Sequence, residues 1–222
     1  MKHIASHLIF LALFLTGMLF FVSSAIANEN TIAIANFSQN DLSNWESHSF
    51  NGETQYRLIK QNQVTVLKAI SNQTASGLIK KQQIDLHKTP YLNWQWKVEG
   101  ALYRLSETFK DGDDFSARIY IVVDGGVFFW NTIALNYVWS SGQAINSLWE
   151  SPFTANAKMI AVQSGNKYTK QWRTEKRNVR EDMIRAFGTD YRFIDAIAIM
   201  TDTDNSGQSA VAYYGDIYFS AN

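Results

Sequence analysis

The sequence predicts an all-β domain, an antiparallel β-sandwich of jelly-roll type with one or two short helices. Short runs rich in branched and aromatic residues recur at intervals of about 8 to 20 residues, with turn-forming residues between them. Proline occurs only at Pro90 and Pro152, and no low-complexity linker divides the chain. The predicted strands are Ile32–Phe37, Trp45–Phe50, Tyr56–Ile59, Val64–Ile70, Gly77–Ile84, Tyr91–Val98, Phe115–Val123, Val127–Trp139, Lys158–Gln163, Lys170–Asn178, Phe193–Met200 and Val211–Phe219.

Residues 1–27 have the composition of a secretory signal peptide. A short basic start precedes the apolar run Leu8–Val22, and small residues stand at Ala25 and Ala27. The run is shorter than the roughly 20 apolar residues that a transmembrane helix needs, although an uncleaved anchor is the alternative. We therefore predict cleavage after Ala27, a single sandwich domain over residues 28–222, and a periplasmic or secreted location.

Composition narrows the classes of partner. The chain has no cysteine, which excludes disulfides and lipid attachment through an N-terminal cysteine. Of its 20 basic and 20 acidic residues, cleavage would remove only Lys2, leaving 19 basic and 20 acidic side chains. This near-neutral balance gives no electrostatic basis for binding nucleic acid or an anionic membrane surface. We expect neither partner, no membrane association after removal of the signal peptide, and a monomer.

One helix is predicted immediately after the strand that ends at Asn178. Asn178 and Glu181 have the spacing of a capping box, and Gly188 is suited to the left-handed residue that ends a helix. The residues expected to face the sandwich are Met183, Ile184 and Phe187. Glu99–Thr108 is a candidate for a second helical turn.

The strand Tyr91–Val98 places its two tryptophans on one face. Trp94 and Trp96 would suit a sugar-stacking platform, but Leu92 and Val98 share their face, which favours core packing.

Two other strands carry candidate ligand contacts. In Phe115–Val123 the set Phe115, Ala117, Ile119 and Ile121 is apolar, and the opposite face, with Arg118 and Tyr120, is expected to be open and polar. In the next strand Tyr137 and Trp139 share a face, either as exposed ligand contacts or as part of the core.

Two turns rich in acids are each joined to a strand. The first contains Asp111, Asp113 and Asp114, and the second runs through Asp202, Asp204 and Asn205 to a glycine. The second matches the first half of a calcium loop, but a tyrosine stands where a bidentate glutamate belongs, so an EF-hand is excluded. Calcium bound by Asp202 and Asp204 remains open beside ordinary turn chemistry.

These motifs carry a family resemblance. The segments Lys110-Asp-Gly-Asp-Asp-Phe-Ser-Ala-Arg-Ile-Tyr120, Leu135-Asn-Tyr-Val-Trp139, Met200-Thr-Asp-Thr-Asp-Asn205 and Tyr214-Gly-Asp-Ile-Tyr218 resemble the bacterial domain-of-unknown-function family 3047. The resemblance spans nearly all of the chain after residue 27 and implies no activity. The chain ends are also similar to those of jelly-roll carbohydrate-binding modules of the galactose-binding type, a likeness too general to imply a function.

The acidic turns leave three hypotheses of function. We favour a protein that binds a glycan or another hydroxyl-rich ligand, needs no cofactor and is not an enzyme. A carbohydrate-active enzyme with paired aspartates is the first alternative, and an envelope structural or assembly protein is the second. The predicted ligand-binding residues are Asp111, Asp113, Asp114, Arg118, Tyr120, Tyr137, Trp139, Asp202, Asp204 and Asn205.

Overall fold

The computed structural model describes residues 31–126 and 131–222, which form thirteen strands and one α-helix. Short 3₁₀ turns lie at Phe37–Gln39 and Lys110–Gly112. The elements are β1 (Thr31–Ala35), β2 (Glu46–Asn51), β3 (Gln55–Gln61), β4 (Val64–Asn72), β5 (Ala75–Asp85), β6 (Tyr91–Val98), β7 (Arg118–Val123), β8 (Ile133–Ser140), β9 (Leu148–Glu150), β10 (Ala157–Ser164), β11 (Arg173–Asn178), α1 (Val179–Phe187), β12 (Phe193–Asp202) and β13 (Ser209–Ser220).

The strands form two sheets. One has the order β11-β6-β13-β4-β3, with β1 paired to β13, and the other has the order β2-β5-β12-β7-β8-β10-β9. The consecutive pairs β4–β5, β6–β7 and β12–β13 each pass from one sheet to the other. Because β13 lies between β4 and β6 and β12 between β5 and β7, these pairs wind side by side as in a jelly roll. The predicted sandwich is confirmed, except that β8 and β10 pair in parallel.

Aromatic side chains fill the space between the sheets. Trp94 stacks on Tyr137 with ring centroids 5.4 Å apart and packs edge-on against Trp96. Trp96 in turn contacts Trp139 at 5.9 Å, and all four rings are at most 1 % exposed. The tryptophans of β6 are core residues, as the alternation of that strand indicates.

Several local predictions are wrong. Phe115 does not continue β7: the chain bends at residues 116–117, the alternation is lost, and Phe115 packs on Val138 and Met159 in a separate small cluster. The strand β9 was not predicted. Glu99–Thr108 forms bends and turns with no helix.

Helix α1 has the predicted caps, with one difference in the face that it buries. The Asn178 side chain accepts a hydrogen bond from the Glu181 backbone N–H at 3.2 Å, and Gly188 adopts φ 71°. Met183 is fully buried and Phe187 is partly buried, but Ile184 is 39 % exposed. The buried face is centred on Val179, Asp182, Met183 and Ala186, so it is displaced around the helix away from Ile184.

Two segments with sequence-based predictions lie outside the described residues. They are residues 1–27, the predicted signal peptide, and residues 127–130, the start of the predicted strand Val127–Trp139. Within the described part of the chain, none of the helices has the length and apolar character needed to span a membrane.

Candidate functional site

A groove crosses the outer face of the seven-stranded sheet. Ile119 of β7 lies in the core, so alternation places its neighbours Arg118 and Tyr120 on the opposite, outer side. Two cavities of about 420 and 460 Å³ lie on this side. Phe50, Tyr120 and Met200 line both cavities, which therefore meet and form one groove.

The two ends of the groove differ in chemistry. The smaller cavity, here called the acidic end, combines polar and charged side chains with the apolar side chains of Phe50, Phe153, Met159 and Met200. The larger cavity, the apolar end, is lined mainly by aliphatic residues. Besides the shared Tyr120, the polar residues of the acidic end are Asp113, Arg118, Asn136, Ser151, Thr154, Asp202, Asp204 and Asn205. The apolar end includes Ile79, Val122, Ala196 and Ala198, with Lys81, Asp124 and Asp195 as its charged groups.

A buried ion pair forms the floor of the acidic end. The Arg118 guanidinium donates to Asp202 Oδ2 at 2.5 Å, and these side chains are 8 % and 1 % exposed. The Phe115 backbone N–H donates to Asp202 Oδ1 at 3.3 Å. Burial raises the pKa of Asp202, and the charge of Arg118 acts in the opposite direction. The pair joins the central strands β7 and β12 across the sheet surface.

Three buried polar atoms at the acidic end have no hydrogen-bond partner. They are Asp113 Oδ1, Asn136 Oδ1 and Arg118 Nε. Asp113 is 5 % exposed, Asn136 1 % and Arg118 6 %. The Asn136 amide is oriented by its nitrogen, which donates to the Lys158 carbonyl at 3.3 Å. Buried polar atoms normally have a hydrogen-bond partner. Three unpaired ones around a single cavity are typical of a site that receives a ligand or ordered water.

Asp113 is a weaker acid than an ordinary aspartate. Burial raises its pKa to about 6, and Arg118 opposes this shift. The carboxylates of Asp114, Glu107 and Asp204 raise it further. The side chain therefore gains and loses its proton near neutral pH, unlike an exposed aspartate.

Asp114 has a structural role in the second acidic turn. Its Oδ2 accepts from the Ser206 backbone N–H at 2.6 Å, and its Oδ1 accepts from the Asn205 backbone and side-chain amides at 3.3 and 3.2 Å. Asp204 instead accepts from the Asn51 side chain at 3.3 Å. Asp114 thus ties the two acidic turns together, and its carboxylate, 0 % exposed, does not line the groove.

The carboxylates are close enough for a cation. Asp114, Asp202 and Asp204 each offer one oxygen, and these three atoms lie within 4.8 Å of one another. Calcium takes six to eight oxygen ligands, whereas both oxygens of Asp114 and of Asp202 already accept hydrogen bonds from protein groups. Calcium at Asp202 and Asp204 stays a prediction.

The structure brings most of the predicted site residues together. Asp113, Arg118, Tyr120, Asp202, Asp204 and Asn205 all line the acidic end of the groove.

The other four predicted contacts are corrected. Asp111 is exposed and does not line the groove, and the Asp114 carboxylate is bonded to the second acidic turn. Tyr137 and Trp139 are core residues: the Tyr137 hydroxyl donates to Asp182 at 2.8 Å, and the Trp139 indole donates to the Gly165 carbonyl at 3.1 Å. Rings buried between two sheets are not available to a ligand.

Sequence reasoning missed nine of the fifteen residues that line the acidic end, and four of these nine bear on the site's chemistry. Phe50, Phe153, Asn136 and Met200 come from β2, the loop before β10, β8 and β12. Only Asn136 carried a signal, because alternation sets it on the face opposite Tyr137. The two phenylalanines come from segments that meet only after the sheet is assembled.

The family model described as "Protein of unknown function (DUF3047)" matches residues 43–218, which include the whole groove. The chain belongs to this family. No curated protein matches the sequence.

Solved structures with a similar arrangement of strands include three carbohydrate-related proteins. A mutant of a family 29 carbohydrate-binding module is 10 % identical with a TM-score of 0.39, covering 86 % of this chain and 92 % of that one. The cellulose-induced protein Cip1 is 9 % identical with a TM-score of 0.47, covering 85 % and 97 %. The xyloglucanase domain of NopAA from Sinorhizobium fredii, in complex with cellobiose, is 9 % identical with a TM-score of 0.46, covering 80 % and 93 %. Scores below 0.5 carry no argument about ligand or activity.

Proposed function

We propose that this DUF3047 protein is a periplasmic or secreted glycan-binding protein, and that its ligand, a glycan or another hydroxyl-rich molecule, lies in the groove. The observation that carries the proposal is the set of three unpaired, buried polar atoms beside exposed aromatic rings. Phe50 is 65 % exposed and Phe153 is 55 % exposed, and both line the acidic end. Pockets for small ligands combine apolar walls with a few placed polar groups in this way.

A saccharide matches this combination. Its C–H faces are apolar and pack on flat aromatic rings, while its hydroxyl edges donate and accept hydrogen bonds. At the acidic end, Asp113 Oδ1 and Asn136 Oδ1 can accept from hydroxyl groups, and Arg118 Nε can donate to one. The groove continues into the apolar end, so it has room for a chain of more than one sugar unit.

Removal of the aromatic rings should weaken glycan binding. We expect Phe50→Ala with Phe153→Ala to weaken binding by about tenfold or more, equivalent to about 1.4 kcal/mol or more, because aromatic contacts contribute about 0.5–1.5 kcal/mol beyond their buried area. Affinity electrophoresis against a panel of soluble polysaccharides identifies a ligand, and titration calorimetry measures its dissociation constant.

Phe193→Ala is the matched control, because this exposed phenylalanine lies outside the groove lining and packs beneath the Arg192 guanidinium. It should bind like the wild type. Failure of every polysaccharide to retard the wild-type protein would contradict the proposal.

The enzyme alternative is tested with the same ligands. The raised pKa of Asp113 is what a general acid requires, and Asp204 lines the same cavity. We expect oligosaccharides to be recovered intact after prolonged incubation. Cleavage products that vanish in Asp113→Asn would instead establish a hydrolase.

Export is a separate expectation. We expect the exported protein to begin at residue 28, which intact mass spectrometry of the periplasmic or culture fraction determines. Leu13→Arg places a charge in the apolar run and should retain the precursor in the cytoplasm. An exported chain that keeps residues 1–27 would show an uncleaved anchor.

A further inference from the structure

We propose that the acidic end of the groove is a subsite for a protonated amine, so that the bound glycan carries amino sugars and not anionic ones. This inference rests on the proposed function and names the ligand class of the same site. Two independent features support it: the balance of charge along the groove, and the kind of hydrogen-bonding atom that is left unpaired.

The charge balance is negative at both ends. At the acidic end the lining contains three carboxylates, Asp113, Asp202 and Asp204, and one cation, Arg118. Arg118 is engaged by Asp202 at 2.5 Å, so the remaining two carboxylates have no cation among the lining residues.

The apolar end repeats the imbalance, with Asp124 and Asp195 against Lys81. At the rim, the ammonium of Lys110 lies 5.3 Å from the centroid of the Phe153 ring, outside the lining. A uronate or sulfated sugar would bring further negative charge into this field, whereas an ammonium group would be attracted.

The unpaired atoms also favour an amine. Of the three, Asp113 Oδ1 and Asn136 Oδ1 are acceptors, and each belongs to a side chain at least nine-tenths buried. An ammonium group has three donors and no acceptor, so one such group in this cavity carries enough donors for both atoms. The bond to Asp113 would be charge-assisted and stronger than a bond between neutral groups. A ligand carboxylate offers only acceptors and would leave both oxygens unpaired.

A divalent cation is less compatible with these contacts. Three carboxylates have oxygens within 4.8 Å of one another, and two of them, Asp114 and Asp202, already accept hydrogen bonds on both oxygens. Asp113, which has an unpaired oxygen, is not a member of that trio. An amine needs only the two unpaired acceptors of Asp113 and Asn136.

The experiment compares β-1,4-linked oligosaccharides of equal length that differ in one substituent: glucosamine, N-acetylglucosamine and glucose oligomers, with an oligoglucuronate as the anionic member. Calorimetry is run at near-neutral pH, above the pKa of about 6 of Asp113, so that this carboxylate is largely ionised while part of the amine is still protonated, and at low and high salt. We expect the glucosamine oligomer to bind about tenfold tighter than the glucose oligomer, equivalent to about 1.4 kcal/mol. The preference should shrink as salt is added.

Asp113→Asn and Asp111→Asn form a matched pair, since they flank Gly112 and only Asp113 lines the groove. The ratio of the two affinities should fall towards one in Asp113→Asn and stay near tenfold in Asp111→Asn. If the glucose oligomer binds as tightly as the glucosamine oligomer, or the oligoglucuronate binds tightest, the inference is wrong and the proposed function stands.

If none of the four oligosaccharides binds and no polysaccharide of the panel binds either, the inference and the proposed function are both wrong. Calcium is added as a competitor. If it stabilises the wild type and abolishes the preference for amine, the acidic end is a metal site and the inference is overturned.

Discussion

Arg118→Ala is expected to destabilise the protein by about 3–5 kcal/mol, because it leaves the Asp202 carboxylate buried without its cation. Asp202 is 1 % exposed, so water cannot replace the lost guanidinium without opening the sheet surface. For a domain of this size, 1 kcal/mol corresponds to about 2–4 °C in Tm, so the expected fall in Tm is about 6–20 °C. Urea denaturation and calorimetry at neutral pH measure both quantities.

Two further variants show whether the buried charge is the cause. Asp202→Asn introduced into Arg118→Ala should recover much of the lost stability, because it removes the uncompensated carboxylate. Arg180→Ala breaks the exposed pair with Asp190, where both side chains are 41 % exposed, and should change stability very little. If Arg118→Ala costs no more than Arg180→Ala, the ion pair is not what holds β7 against β12 at this surface.

Asp113→Asn is expected to stabilise the protein without ligand. This stabilisation should be seen only above about pH 4. The folded-state pKa of Asp113 is about 6, above the unfolded value of about 3.9. The folded state therefore binds the proton more tightly, and stability falls as the pH rises through this window. Above pH 6 the penalty approaches about 3 kcal/mol, from about two pKa units at 1.36 kcal/mol each, and the substitution removes it.

Thermal unfolding at about pH 4 and pH 8 measures the difference between the variant and the wild type. Asp111→Asn is the control, since Asp111 is exposed, and it should have little effect at either pH. If Asp113→Asn were destabilising at pH 8, the carboxylate would have a structural partner. The idea that the ionised Asp113 side chain destabilises the empty site would then be wrong. Retention of a destabilising carboxylate at Asp113 is what a binding site requires, because function and stability then compete.

Local sequence determined much of the fold. The alternation of β6 sets Trp94 and Trp96 with Leu92 and Val98, and that grouping is enough to identify a core face without knowing the partner sheet. The caps of α1 are local as well, because Asn178 and Gly188 act on backbone groups within one turn. The two acidic turns were also recognisable, since each follows from residue types at adjacent positions.

Local pattern failed where a side chain's environment depends on which element lies opposite. Alternation in β8 places Tyr137 and Trp139 on the same face but does not say whether another sheet covers that face; the rings of β6 cover it. Similarly, Phe115 leaves the core side because the chain bends at residues 116–117. Ile184 stays exposed because α1 buries the face that carries Val179, Met183 and Ala186.

The candidate site shows the same division. The sequence alone determined that carboxylates, an arginine and a tyrosine stand at the ends of two strands, since neighbouring positions carry that information. Only the tertiary structure decided that β7 and β12 are adjacent, that Asp202 pairs with Arg118, and that Asp114 serves the turn. Phe50 and Asn136 join the groove through long-range strand pairing, in which contacts far apart in the chain depend on the order of strands in the sheet.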